Sequence, residues 1–308
     1  MPVYAPSVSG TRTSLTGWLA RMGFADVGRA ERQLAGLGIA AGHPLLAALA
    51  QAADPDLALA GLAHIAERSQ GLPDILTQDP AFRARLTAVL GVSKGLADHL
   101  ARHPDDCAVL RGPDADRRPE PAAIRDELLR AVGADPSAAQ PAAARTDPAA
   151  QPAAARTDPA GLLAAAYRRR VLHLAARDLT GVVTVDQVGE ELADIADAVL
   201  ETALAIARAE APPDSAPTRL AVIAMGKCGA RELNYASDVD VIFVAEPPDE
   251  PADAAEGDSL KAATRLAAGL IRVCERSTPE GSIFPVDPNL RPEGRNGPLV
   301  RTLASHLA

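Results

Sequence analysis

Two short apolar runs, residues 220–225 and 239–244, stand apart in a chain whose other apolar residues recur mainly at helical spacing. Runs this short, bounded by Gly, Pro and Asp, are expected to be strands rather than helices. The second is entered through Ser237-Asp238-Val239-Asp240. On an extended backbone, side chains two residues apart point to the same side, so Asp238 and Asp240 share one face. Two like charges held together are costly unless a cation neutralises them. Hard oxygens around a divalent ion that also holds phosphate oxygens would do so, and Mg²⁺ is the natural candidate. The stretch reads as the metal end of a phosphoryl or nucleotidyl transfer site. A blander reading, in which the acids only end the ladder, stays open.

Val239, Val241 and Phe243 fall on one face of the second run, Ile242 and Val244 on the other. With both faces apolar, the strand is expected to be central and buried. Between the runs lie Gly226 and Gly229 flanking Lys227. Glycines there let backbone amides approach a phosphate, although a plain tight turn fits the same residues. No G-x-x-x-x-G-K-[ST] loop is present. The six histidines show no nucleophile-base-acid logic. A third acid, Asp287, ends a further run near 283–287, and three carboxylates from adjacent strands are what a two-metal clamp requires. Arg291 and Arg295 follow; they could hold phosphate oxygens bidentately or be solvated turn charges.

At 308 residues the chain can hold two domains of ~150 residues each. Residues 1–133 read as an N-terminal helical region. In it, Asp54-Pro55-Asp56 has the form of a helix start, followed by Leu59, Leu62 and Ile65. Residues 134–160 hold an Ala/Pro-rich unit repeated in tandem, from Ala139 and again from Ala150. Lacking large apolar residues, the segment is expected to be a mobile linker or surface insertion. Residues 161–308 read as the catalytic core. Thr184-Val185-Asp186-Gln187 forms a capping box ahead of the stripe Val188, Leu192, Ile195, Val199, Ala203 and Ile206. A helix is expected over 259–275. The net charge of −9 argues against a broad nucleic-acid surface. No run is long enough to span a bilayer, and no secretion signal is seen at the N-terminus. Cys107, Cys228 and Cys274 lack metal-type spacing and are expected to be reduced thiols in a cytoplasmic protein.

The run Met225-Gly226-Lys227-Cys228-Gly229-Ala230-Arg231-Glu232-Leu233-Asn234-Tyr235-Ala236-Ser237-Asp238-Val239-Asp240-Val241-Ile242-Phe243 closely resembles the signature of the glutamine synthetase adenylyltransferase/adenylyl-removing enzymes. Residues 286–301 look like the same family's second block. Residues 167–179, with Arg170, Arg177 and Asp178, are similar to the helix preceding its catalytic sheet. The resemblance implies a predominantly helical α+β fold, in which a helical region precedes a polymerase-β-like nucleotidyltransferase core with a small mixed sheet. It implies Mg²⁺ on Asp238, Asp240 and Asp287, with Gly226, Lys227, Ser237 and Arg291 toward nucleotide and phosphate. It also implies glutamine synthetase as substrate, a PII signalling protein as regulator, and adenine nucleotide and phosphate as ligands. One signature behind a long helical stretch matches the N-terminal, adenylyl-removing half, truncated so that the second catalytic domain and the helical region after the first are missing. Two other readings stay open. One is an inert docking fragment for the synthetase or PII; the other is a nucleotidyltransferase with a different substrate.

Overall fold

The computed structural model describes residues 15–69, 71–143, 158–246 and 253–307. Most of the tandem repeat, 144–157, and part of the acidic loop, 247–252, lie outside them. Contacts divide the chain into two units at Gly112 and Pro113.

The first unit is helical: α1 (Leu15–Arg21), α2 (Val27–Gly36), α3 (Pro44–Leu49), α4 (Pro55–Ala66), α5 (Leu72–Gln78), α6 (Pro80–Leu90) and α7 (Lys94–Arg102), then a 3₁₀ turn at Pro104–Leu110. Its starts are written in short polar residues. Asp26, Asp54 and Asp79 each accept a backbone N–H three residues on, at 2.9 Å, and Ser93 accepts that of Leu96 at 3.2 Å. Each cap satisfies a donor the helix cannot pair internally, worth ~1 kcal/mol. The expected stripe of Leu59, Leu62 and Ile65 is buried, as are Leu86, Leu90 and Leu100 on the neighbouring helices.

The second unit opens with α8 (Pro121–Ala131), α9 (Pro159–Leu179) and α10 (Val185–Glu210). Helix α8 lies in the stretch grouped with the N-terminal helices from sequence, yet it packs against α9 and α10. Helix α10 carries the capping box: Gln187 N–H donates to Thr184 Oγ1, and Thr184 N–H to Gln187 Oε1. Its whole apolar stripe is buried. The leading end of the repeat segment lies against this helix. Ala143 N–H donates to Ala205 O at 3.0 Å, and Arg208 Nη1 to Pro141 O at 3.0 Å.

The chain then builds β1 (Arg219–Ala224), the short α11 (Gly226–Gly229), β2 (Val239–Glu246), α12 (Asp253–Glu275), β3 (Val286–Asp287), β4 (Val300–Thr302) and α13 (Leu303–Leu307). Strand β1 runs antiparallel to β2, Ala224 opposite Val241 and Arg219 opposite Glu246. Strands β3 and β4 both pair parallel with β2, at its entry and further along respectively. Because β1 and β4 meet the same residues of β2, they must occupy opposite edges. Helix α12 is the crossover that parallel pairing demands, with Ala263, Ala267, Leu270 and Cys274 buried. The result is a predominantly helical α+β fold with a small mixed sheet, as expected.

Two expectations are corrected. Val239, Val241, Phe243 and Ala245 are buried, but Ile242 and Val244 on the other face are only half-buried. The apolar residues on that face therefore do not signal a covered layer. The third run forms a strand only at Val286–Asp287, since Ile283 and Phe284 pack before pairing starts, and Pro285 offers no N–H to a ladder.

Candidate active site

Pairing register builds the site. Asp240 is the partner of Asp287 across the β2–β3 ladder, and Asp238 lies two residues before Asp240. All three side chains therefore leave the sheet on the half-open face. Each offers one carboxylate oxygen, and these oxygens all lie within 4.8 Å of one another. Asp238 is exposed, Asp240 and Asp287 half-buried. Burial raises the pKa of the Asp240 carboxyl first, and the charges of Asp238 and Asp287 raise it further; Lys227 alone opposes them. Such a cluster holds excess negative charge that hard oxygen ligands could place around a divalent cation.

The turn from β1 to β2 brings Gly226 and Lys227 beside these acids. Met225 N–H donates to Asp240 O at 2.8 Å, which sets α11 against the strand entry. Gly226 has φ +51°, and a Cβ there would collide with the Asp240 carboxylate. Glycine is needed on both counts. Gly229 has no Cβ to meet Ala224 O, which would stand 2.5 Å away. Lys227 is exposed. Ser237 Oγ stands 3.5 Å from Asp238 Oδ1.

Asp287 is steadied by the Asn289 N–H at 2.8 Å. Arg291 turns toward its own loop. Its Nη1 donates to Pro288 O at 2.7 Å, and its Nε and Nη2 reach Gly297 O at 3.4 Å. The structure thus gathers Asp238, Asp240, Asp287, Gly226, Lys227 and Ser237, while Arg291 braces the loop behind Asp287. Arg295 is exposed.

Sequence reasoning did not assign the anchors of the segment 230–238. Arg231 sits at φ +61°, a left-handed backbone uncommon outside glycine, and pairs with Asp194 of α10. Arg118 shares that carboxylate at 2.7 Å and reaches Glu190 at 2.6 Å. Tyr235, although 42% exposed, donates from Oη to Asp178 Oδ2 of α9 at 3.0 Å, and partial burial with the charge of Asp178 raises its pKa. Beneath that contact, Arg177 and Glu191 form an ion pair with both side chains almost wholly buried. The available signal was the Arg177-Asp178 pair at the end of α9, whose partner no local pattern discloses.

A small mixed sheet backed by helices, with carboxylates from two neighbouring strands on one face, is the arrangement of a nucleotidyltransferase-like fold. A family model for glutamate-ammonia ligase adenylyltransferase matches residues 83–307. The chain belongs to that family. It is 49% identical over 311 residues to the bifunctional glutamine synthetase adenylyltransferase/adenylyl-removing enzyme of Streptomyces coelicolor, across 97% of this chain and 28% of that protein. It is 47% identical to the protein of the same name from Streptomyces avermitilis, with the same coverage. Identity to that of Cutibacterium acnes is 43%, across 82% of this chain and 24% of the relative. The chain thus spans about a quarter of the length of these relatives. Among the described residues no helix is long and apolar enough to cross a membrane.

Proposed function

We propose that this chain carries the catalytic block of a Mg²⁺-dependent nucleotidyltransferase that removes adenylyl groups from a glutamine synthetase tyrosine by phosphorolysis. The observation that carries the reading is the convergence of Asp238, Asp240 and Asp287, whose oxygens lie within 4.8 Å of one another. Three carboxylates opposed by one lysine charge suit a hard divalent cation, and the open face leaves room for phosphate oxygens beside them. Bound there, Mg²⁺ would supply charge neutralisation on the transferring group.

The chain's own residues divide the remaining work. Asp238, Asp240 and Asp287 hold the ion, and Lys227, exposed beside Asp240, meets phosphate oxygens. Gly226 keeps its backbone close to the acids, and Ser237 offers a hydroxyl toward the same path. Arg291 serves through the loop that carries Asp287. In the phosphorolytic direction an oxygen of inorganic phosphate bonds to the AMP phosphorus while the bond to the tyrosyl oxygen breaks. The phenolate takes up the proton released by the attacking hydrogen phosphate, and the products are ADP and the free tyrosine side chain. The direction is supported by the long helical stretch that precedes the Ser-Asp-x-Asp block. Control of nitrogen assimilation in the cytoplasm, with a PII protein as regulator, belongs to the same reading.

Asp240→Asn tests it. ADP release from adenylylated synthetase is expected to fall by roughly 10²–10³ or more. Mn²⁺ binding, used as a spectroscopic stand-in, should weaken in parallel while circular dichroism stays unchanged. Turnover at the parent rate would overturn the proposal.

A further inference from the structure

A second site lies at the other end of the sheet. Between the C-terminal end of α10, the connection into β1 and the outer face of α12 is a cavity of about 400 Å³, large enough for a small metabolite. It opens where β1 begins, beside the residue paired with Glu246, whereas the acids sit where β2 begins. The intervening strand is about 20 Å long at ~3.3 Å per residue.

Arg208, Arg265 and Arg272 line this cavity, together with one acid, Glu210. Arg272 reaches Glu210 at 3.5 Å. Arg208 and Arg265 have no carboxylate partner among the described residues. The acid whose charge reaches Arg208 is Glu201, and both its oxygens are taken by Arg125 Nε and Nη2 at 2.7 Å. The only hydrogen bond of the Arg208 side chain among the described residues goes to Pro141 O, and burial lowers its pKa. A half-buried guanidinium with no carboxylate beside it among the described residues is unfavourable, and an anion with several oxygens relieves it.

We propose that this cavity binds a small dianion, a dicarboxylate or a phosphate group, and that the anion bridges α10 to α12 away from the acid cluster. Its oxyanion edges meet the forks of Arg208 and Arg265. This site does not depend on the catalytic reading.

The test is calorimetric titration of the chain with succinate and, separately, with inorganic phosphate, alongside thermal unfolding. Saturable binding of one of them is expected, with an unfolding temperature that rises with ligand concentration. Which anion binds names the class. Arg265→Gln, at an exposed position, and Arg208→Gln should each weaken that binding by tenfold or more. Asp240→Asn should leave it intact, which separates this site from phosphate held at the acids. No saturable binding of either anion overturns the proposal, and so does binding that both cavity substitutions leave unchanged.

Discussion

Gly226 illustrates how much a single missing side chain can carry. Its left-handed backbone and its closeness to Asp240 both exclude a Cβ. Gly226→Ala should lose ~1–2 kcal/mol of stability through the backbone alone. It should also weaken Mn²⁺ binding by roughly tenfold, since the displaced carboxylate is one of the three acids. A urea melt with a metal titration checks both, and a variant that binds metal like the parent would show that Asp240 tolerates displacement. From sequence this glycine was compatible with either a phosphate-binding turn or a plain one, because neither its φ nor its distance to Asp240 is local information. His173 offers a different test. Burial, with help from the charges of Arg177 and Arg170, lowers its pKa from 6.5 to about 4. The unfolded chain therefore binds one proton more between those values. Stability is fully present above pH 6.5 and falls as pH drops toward 4, by up to ~3 kcal/mol. His173→Gln should remove that part of the acid sensitivity. Urea midpoints of both proteins at pH 7 and pH 4.5 measure the difference, which should be larger for the parent.

Among the elements, α9 and α10 do most to hold the loop between α11 and β2. The pair Arg177–Glu191 joins them with almost no exposure, and Nε and Nη1 of Arg177 have no hydrogen-bond partner among the described residues. A buried pair so incompletely bonded contributes little net stability, but breaking it strands a charge. Glu191→Gln should therefore lose ~3–5 kcal/mol, whereas the joint change Arg177→Met with Glu191→Leu should lose far less. Denaturant unfolding of the single and double variants gives the coupling; equal losses would refute it. The elements themselves were largely legible. The Asp54 and Thr184 caps, the α10 stripe and the crossover helix α12 all announce themselves through spacing and capping chemistry. Strand β4 did not, because Val300–Thr302 is too short for a period and gains its strand character only by pairing with β2. The half-open face of β2 was hidden for a related reason. Ile242 and Val244 have the composition of a covered strand, and which face is covered depends on helices far along the chain.

At the scale of the whole molecule, every candidate site residue and every anchor described above falls after Gly112. The matched family region begins earlier, inside α6. The first unit has its own core, with Leu86 fully buried among helices of that unit, and the second has a separate one around α10, with Ile195 fully buried there. Units with separate cores can unfold separately, and metal held within one need not report on the other. Leu86→Ala should destabilise the first unit by ~2–5 kcal/mol. Mn²⁺ affinity measured below the unfolding range should stay within about twofold of the parent. Ile195→Ala, with a loss of similar size, should act on the transition that Mn²⁺ itself raises, because only the unit holding the acids gains from the ion. Calorimetry with and without Mn²⁺ distinguishes the two. One transition moved equally by both substitutions would mean the chain unfolds as one cooperative body, with its helical part energetically inseparable from the acid site.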